Sequence, residues 1–281
     1  MVEIKTILFP TDFSDYSNKA FPYAATLAKA FGARIILLHV AELEEEDPAN
    51  PRHTFPAIDQ YDGAIESERV IIRGHAPYKD ILDVSRAKDC DLIVMATHGR
   101  SALSQFFLGG SVAEEVARFS QIPVFIVKVE PDEPPETYTG RLDKALFTTD
   151  FSDSAARALP LAITFAQKFN IELHVLHVID DESTDYYSSI GISRDDADFR
   201  ERVEALLRES VTASGVAGAV SAYHVAEGRA ETEIVRFADA EGIDLIAMST
   251  RGHNALEDDI LGTTTDRVIR HAPCPVVTVR S

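Results

Sequence analysis

The five residues Thr11-Asp12-Phe13-Ser14-Asp15 recur as Thr149-Asp150-Phe151-Ser152-Asp153, 138 positions later. The spacing then holds. Ala20, Pro22, Ala24 and Ala28 fall on Ala158, Pro160, Ala162 and Ala166, Phe31 falls on Phe169, and His39-Val40 falls on His177-Val178. Further on, DLIVMATHG (Asp91–Gly99) meets DLIAMSTRG (Asp244–Gly252) at an offset of 153, and Arg118 and Pro123 meet Arg270 and Pro275 at 152. Chance does not preserve order over such a length, so the chain is one unit written twice. With 281 residues in all, each copy has the length of an ordinary domain with its own core. The expected domains are 1–130 and 141–281. Residues 131–140 form the linker, because their prolines and acids resist helix and strand alike.

Within each copy, strand and helix alternate. In the first, apolar runs at Ile4–Phe9, Arg34–Val40, Val70–Arg73, Asp91–Ala96 and Pro123–Val129 predict five strands. Helical spacing predicts helices over Ser14–Phe31, stopped by Gly32, then Tyr78–Lys88 and Ser111–Phe119. This alternation predicts an α/β fold: two open, five-stranded parallel sheets with helices on both faces, Rossmann-like, packed as an internal pseudo-dimer. The last strands, Pro123–Val129 and Pro275–Arg280, are apolar edges suited to that pairing. The copies differ between Val40 and Gly74, where 33 residues intervene against 49 between Val178 and Gly228. The second copy uses the length for a helix over Asp195–Ala213, with Phe199, Val203, Leu206, Leu207 and Val211 on one face. In the first, Pro48, Pro51 and Pro56 leave that helix short or absent.

Composition excludes several classes. The net charge of −19, from 46 acidic against 27 basic residues, repels phosphate backbones, and no basic cluster offsets it, so nucleic acid is not an expected partner. The acidic run from Glu42 to Asp47 reads as a solvated loop. No apolar run reaches the ~18 residues of a membrane span, and the N-terminus lacks the order of a signal peptide, so the expected location is the cytoplasm. Cys90 and Cys274 form no CxxC pair and read as buried thiols. His39 and His177, at strand ends, read as hydrogen-bonded core residues, and nothing in either copy supplies a metal ligand set.

In an open parallel sheet, ligands bind beyond the carboxyl ends of the strands, where strand order reverses. PTDFS and TTDFS follow the first strands, and ATHGRSALSQFFLGGS and STRGHNALEDDILGTT follow the fourth, so both special stretches share one edge. Gly99 and Gly252 are expected to turn the backbone with positive φ and to leave room for a ligand. Gly110-Ser111 and Gly262-Thr263 then open helices whose N–H groups suit an anion. A structural alternative stands beside this one. Ser111-x-x-Glu114 and Thr263-x-x-Asp266 resemble capping boxes, and Asp12 and Asp150 could cap the helices that follow them.

These stretches resemble the universal stress protein family, whose ATP-binding members carry G-x2-G-x9-G-(S/T) after the fourth strand and an aspartate after the first. The second copy reads Ser249-x2-Gly252-x9-Gly262-Thr263 and departs at the first glycine. The first reads Ala96-x2-Gly99-x10-Gly110-Ser111, with one extra residue as well. The resemblance implies ribose bonds to Asp12 and Asp150 and backbone contacts to adenine from Val40 and Val178. It implies adenine-side walls from Pro10, Thr11, Thr148 and Thr149, and phosphate contacts from Gly99, Gly110, Ser111, Gly252, Gly262 and Thr263. Val112 offers a backbone group at the same helix start, where Thr264 and Thr265 add hydroxyls. The implied cofactor is ATP, with AMP or ADP as alternatives and Mg2+ as an optional companion of the nucleotide; Glu257, Asp258 and Asp259 would repel a triphosphate unless they point away or share that ion. His98, Arg100, Arg251 and His253 sit in the same loops and could each reach a phosphate, although lone loop residues of these types are more often solvated.

The expected function is regulatory: nucleotide occupancy alters shape or partner choice, with a regulatory protein as partner and a homodimer of the whole chain also allowed. The competing reading is a module of the same fold that pairs with partners and binds no nucleotide. No HxGH, SGGxDS, P-loop lysine or Ser/His/Asp order points to a dedicated enzyme, and at most slow ATP hydrolysis or autophosphorylation is expected.

Overall fold

A computed structural model describes residues 1–41, 64–97, 111–130, 132–180, 184–213, 217–252 and 261–280. They divide into two compact units, one of residues 3–141 with Arg280, the other of residues 142–279 with the first two residues. The loops 98–110 and 253–260 fall outside the described residues, as do 42–63. Those segments contain the acidic run, Pro48, Pro51, Pro56, Gly99, Gly110 and Glu257 to Asp259.

The first unit runs β1 (Thr6–Pro10), α1 (Asp15–Phe31), β2 (Arg34–Ala41), β3 (Ser67–Arg73), α2 (Pro77–Ala87), β4 (Leu92–Ala96), α3 (Val112–Phe119) and β5 (Val124–Val127). Its strands order as β3-β2-β1-β4-β5, all parallel. β1, β4 and β5 are buried along their whole length, which is why their sequences are unbroken apolar runs. β3 lies at the sheet edge with a half-exposed pattern, so it starts earlier than Val70, on the polar residues Ser67, Glu68 and Arg69. α1 buries Ala20, Phe21, Ala24, Leu27 and Ala28 against this sheet, with Phe21 edge-on to Phe9 at 5.2 Å. Gly32 ends it at φ 68°, donating its N–H to the Ala28 carbonyl.

The second unit runs β6 (Lys144–Thr148), α4 (Asp153–Ala156), α5 (Leu159–Phe169), β7 (Glu172–Ile179), α6 (Thr184–Ser189), α7 (Phe199–Thr212), β8 (Ala222–Glu227), α8 (Ala230–Glu241), β9 (Leu245–Ser249), α9 (Thr263–His271) and β10 (Val276–Val279). The order β10-β9-β6-β7-β8, again parallel, repeats the first. The helix expected over Asp195–Ala213 begins only at Phe199 and buries Val203, Leu207 and Val211, while Leu206 stays partly exposed. One proline divides the copies. α1 continues through Pro22, but the second copy breaks its helix at Arg157-Ala158 and restarts with Pro160 in the first turn of α5, where a missing N–H is tolerated.

The aspartates that open the repeated DLI stretches are structural ties. Asp91 Oδ2 accepts from the N–H groups of Lys5 and Thr6, at 2.7 and 2.9 Å. Asp244 Oδ2 accepts from Asp143 and Lys144 in the same way, both at 2.9 Å. Each fastens the start of the first strand to the fourth.

The linker is more ordered than its composition suggests. Pro135–Thr137 forms a 3-10 turn, and Lys19 of α1 donates to the carbonyls of Glu130 and Glu133, at 3.1 and 2.6 Å. The Tyr138 hydroxyl donates to Glu133 and accepts from the Glu130 N–H, and its ring lies under the Lys19 ammonium. Burial and the Glu133 carboxylate push this phenol up to about 12. Gly140, at φ 69°, passes so close to α1 that a Cβ would stand 2.6 Å from the Pro22 carbonyl oxygen. A buried lysine with carbonyl acceptors thus straps the segment to the first copy.

Candidate functional site at the sheet switch points

Strand order reverses between β1 and β4 in the first unit and between β6 and β9 in the second. Residues just past the carboxyl ends of those strands meet across the switch point. In both copies the TDFSD stretch forms the same knot there. Asp12 Oδ1 accepts from the Ser14 N–H and hydroxyl, at 3.0 and 2.5 Å, and Asp150 Oδ1 accepts from Ser152 in the same way, at 3.0 and 2.6 Å. The serines, in turn, cap the helices: Ser14 Oγ accepts from Ser17 N–H and Ser152 Oγ from Ala155 N–H. The expected alternative of helix capping by the aspartates is therefore corrected. Serine Oγ reaches the helix amides, and each aspartate orients its serine through one carboxylate oxygen.

The other carboxylate oxygen of Asp150 faces Gly252. A Cβ on Gly252 would fall well inside 3.0 Å of Asp150 Oδ2, a separation that Cβ atoms essentially never show. The expected positive φ does not occur at Gly252. What excludes a side chain there is contact with the carboxylate, not backbone handedness. Gly99, the counterpart, lies outside the described residues.

The two helix starts at this edge differ. In the first copy Ser111 forms the complete capping box: its hydroxyl accepts from Glu114 N–H at 3.3 Å, and Glu114 Oε2 accepts from Ser111 N–H at 3.1 Å. Val112 is the first helical residue. In the second copy the expected Thr263-x-x-Asp266 box does not form. The cap falls one residue earlier, on Gly262, which has no side chain to cap with, and Asp266 pairs instead with Arg270. Gly262 N–H donates to the Thr250 carbonyl at 2.9 Å, so the loop is tied to the end of β9 while the first turn of α9 is left without a side-chain cap. Thr263 is exposed and Thr264 partly so. Thr265 is buried and donates its hydroxyl to the Ser249 carbonyl at 2.9 Å, an anchor between α9 and β9. Ser249 itself is buried and donates to the Arg251 carbonyl, whereas Ala96 fills its place in the first copy. Thr250 is 2% exposed, and its buried hydroxyl has no hydrogen-bond partner among the described residues.

On the other side of the switch point, Pro10, Thr11 and Thr148 are buried and Thr149 partly so. Thr11 and Thr149 each accept, through the side chain, the N–H of the phenylalanine two residues on, at 3.0 Å. Val178 is buried, whereas Val40 is partly exposed and packs against Gly74, whose place any larger residue would fill into Asp80 and Val40. His39 and His177 hold the carbonyls of Thr11 and Thr149 through Nδ1, both at 2.8 Å, in the hydrogen-bonded role expected for them.

Three features of the site escaped the sequence. Phe13 and Phe151 adopt left-handed backbone, at φ 59° and 67°, which is rare for an aromatic residue. Their rings rest on His39 and His177 at 4.3 and 4.2 Å, and the matching histidines were the available signal. α6 brings Tyr186 to stack on Phe151, with centroids 5.7 Å apart and planes 19° apart, and nothing in the repeat marks that residue. Its neighbour Tyr187 is fully buried and hydrogen-bonds His177 Nε2. Burial first, and the Asp150 charge second, raise the Tyr186 phenol above its ordinary value. Elsewhere, burial raises both thiols, Cys90 to about 11 and Cys274 further, as inert buried cysteines behave. Among the described residues no helix is long and apolar enough to cross a membrane, and no group of three or more side chains could hold a metal ion.

Residues 3–128 and 142–280 each match the universal stress protein family. Universal stress protein Slr1230 of Synechocystis is 23% identical over 99% of this chain and 100% of its own length. Universal stress protein MJ0531 of Methanocaldococcus jannaschii is 30% identical over 49% of this chain and 81% of its own. The crystal structure of a universal stress protein from Archaeoglobus fulgidus superimposes over 99% of this chain and 97% of that one, with 26% identity and a TM-score of 0.71. Two matching copies in one chain, each with the same strand order and the same aspartate–serine knot at its switch point, place this protein in the universal stress protein family as a tandem member.

Proposed function

We propose that the chain is a regulatory stress-response factor of the cytoplasm that binds an adenine nucleotide, ATP first among them, at the switch point of its second copy. The observation that carries this reading is the Asp150–Gly252 approach beside the uncapped start of α9. A carboxylate suited to ribose hydroxyls and a helix start suited to phosphate stand at the ends of adjacent strands, β6 and β9. Ser249 and Gly252 keep the backbone there small enough for a ligand to approach. Magnesium would enter with the triphosphate. Nucleotide occupancy then biases the surface offered to a protein partner or to a second copy of the chain.

The second reading, a partner-binding module without nucleotide, is favoured for the first copy by one observation: Glu114 already takes the Ser111 N–H at the start of α3. The deciding experiment is calorimetric titration of ATP, with and without magnesium, into the wild type and into folded Gly262→Val and Gly110→Val proteins. Binding lost only in Gly262→Val supports the second copy as the site. Loss only in Gly110→Val inverts the assignment, and no binding by the wild type favours the module.

A further inference from the structure

We propose that Tyr186 is a specificity-determining residue of the second copy's site, its ring forming the aromatic wall on the nucleoside side. This inference rests on the nucleotide reading above and deepens it. Tyr186 stands on α6, in the segment between Val178 and Gly228 whose length differs between the copies, and the 138-residue offset sets Pro48 opposite it, so the first copy's sequence carries no aromatic residue at the matching position.

The position of this ring is built from the core outward. Thr149, next to Asp150, gives its carbonyl to His177 Nδ1 at 2.8 Å. His177 Nε2 hydrogen-bonds the hydroxyl of Tyr187, which is fully buried and meets Phe199 of α7 edge-on at 5.2 Å. A buried tyrosine with its hydroxyl partnered holds one orientation, so α6 is pinned to the loop that carries Asp150. Tyr186, one residue earlier, keeps its ring 5.8 Å from that of Tyr187 and stacks on Phe151. Phe151 has left-handed backbone, and its N–H donates to the Thr149 hydroxyl. Phe151 directly follows Asp150, so this stack sets the Tyr186 ring against the residue next to the carboxylate proposed for ribose. Asp150 in turn meets the Gly252 backbone, and Tyr186 is neither buried nor fully exposed. A flat, partly open aromatic face beside a ribose acceptor fits a nucleoside. It offers nothing to a bare polyphosphate, which α9 would hold alone.

Two ligands separate the roles: ATP and inorganic tripolyphosphate, titrated by calorimetry into wild type, Tyr186→Ala and Tyr186→Phe, with thermal melts to establish folding. Tyr186→Ala is expected to weaken ATP about five- to hundred-fold, the range for loss of one aromatic stack, and to leave tripolyphosphate within about twofold. Tyr186→Phe keeps the face and should restore most of the ATP affinity. If wild type binds ATP and Tyr186→Ala binds it equally well, the wall is wrong while the nucleotide reading survives. Equal weakening of both ligands makes Tyr186 a scaffold residue and also overturns the inference. Failure of wild type to bind ATP overturns the nucleotide reading, and the wall with it.

Discussion

Gly252→Ala perturbs the candidate site by a single methyl group at its tightest point. The new Cβ would lie roughly 1 Å inside ordinary contact with Asp150 Oδ2, far beyond what van der Waals surfaces absorb. The backbone at Gly252 is not left-handed, so alanine strains nothing there except this contact. The overlap is relieved most cheaply by rotating the carboxylate, and that rotation draws Oδ1 away from the Ser152 N–H and hydroxyl. Losing those bonds at a partly exposed group costs about 1–2 kcal/mol of folding stability, with the cap on Ala155 loosened as well. For the ligand, a displaced Asp150 forfeits charge-assisted bonds of about 1.5–3 kcal/mol each, so ATP affinity should fall about ten- to hundred-fold. Calorimetric titration of wild type, Gly252→Ala, Asp150→Ala and the double variant reads this directly. If the methyl acts through the carboxylate, it adds little once Asp150 is alanine, and the two losses fail to sum. Additive losses, or wild-type ATP affinity in Gly252→Ala, would refute the proposed coupling.

Other consequences of the structure are as direct. His224 of β8 hydrogen-bonds His174 of β7 at 3.1 Å, and burial and that neighbour hold its imidazole below its ordinary value, against the opposite pull of Glu241 and Glu204. A histidine depressed in the folded state supports stability at neutral pH and withdraws it as pH falls from about 6.5, so urea midpoints should decline from pH 6.5 to 5 and decline less in His224→Gln. Lys19→Met removes the ammonium that fastens Glu130 and Glu133, and limited proteolysis should cut within 131–140 several times faster than in wild type. Asp244→Ala leaves two strand-start amides without their carboxylate and should lower urea stability by about 2 kcal/mol, with ATP affinity unchanged.

Periodicity carries far in this chain because β1, β4, β6 and β9 are buried on both faces, and burial of that kind writes itself as continuous apolar sequence. The edge strand β3 reads short for the complementary reason: Glu68 answers to Lys88 across the surface, not to a core. The break at Arg157-Ala158 is invisible in a repeat where Pro22 and Pro160 align, since a proline inside a helix is absorbed or not according to tertiary packing. At the site, Asp150 and Gly252 were legible as a pair on one edge. The reason for the glycine was not, because contact between residues 102 positions apart leaves no local signature. Tyr186 was hidden for a different reason: Pro48 stands at the matching offset, and self-comparison of the sequence highlights only what both copies keep.

The capping box of α3 also has a meaning as competition. Glu114 is an anion tethered three residues from the amide it occupies, and a tether of that length amounts to an effective concentration of millimolar or more. A phosphate arriving there must displace a ligand that the chain supplies to itself, whereas at α9 it meets none from Gly262. On the nucleotide reading proposed above, and if both copies take the ligand, the two sites would fill at different nucleotide levels. Such a chain would report a range of nucleotide concentration wider than a pair of identical copies, with the second copy responding first and the first copy in reserve.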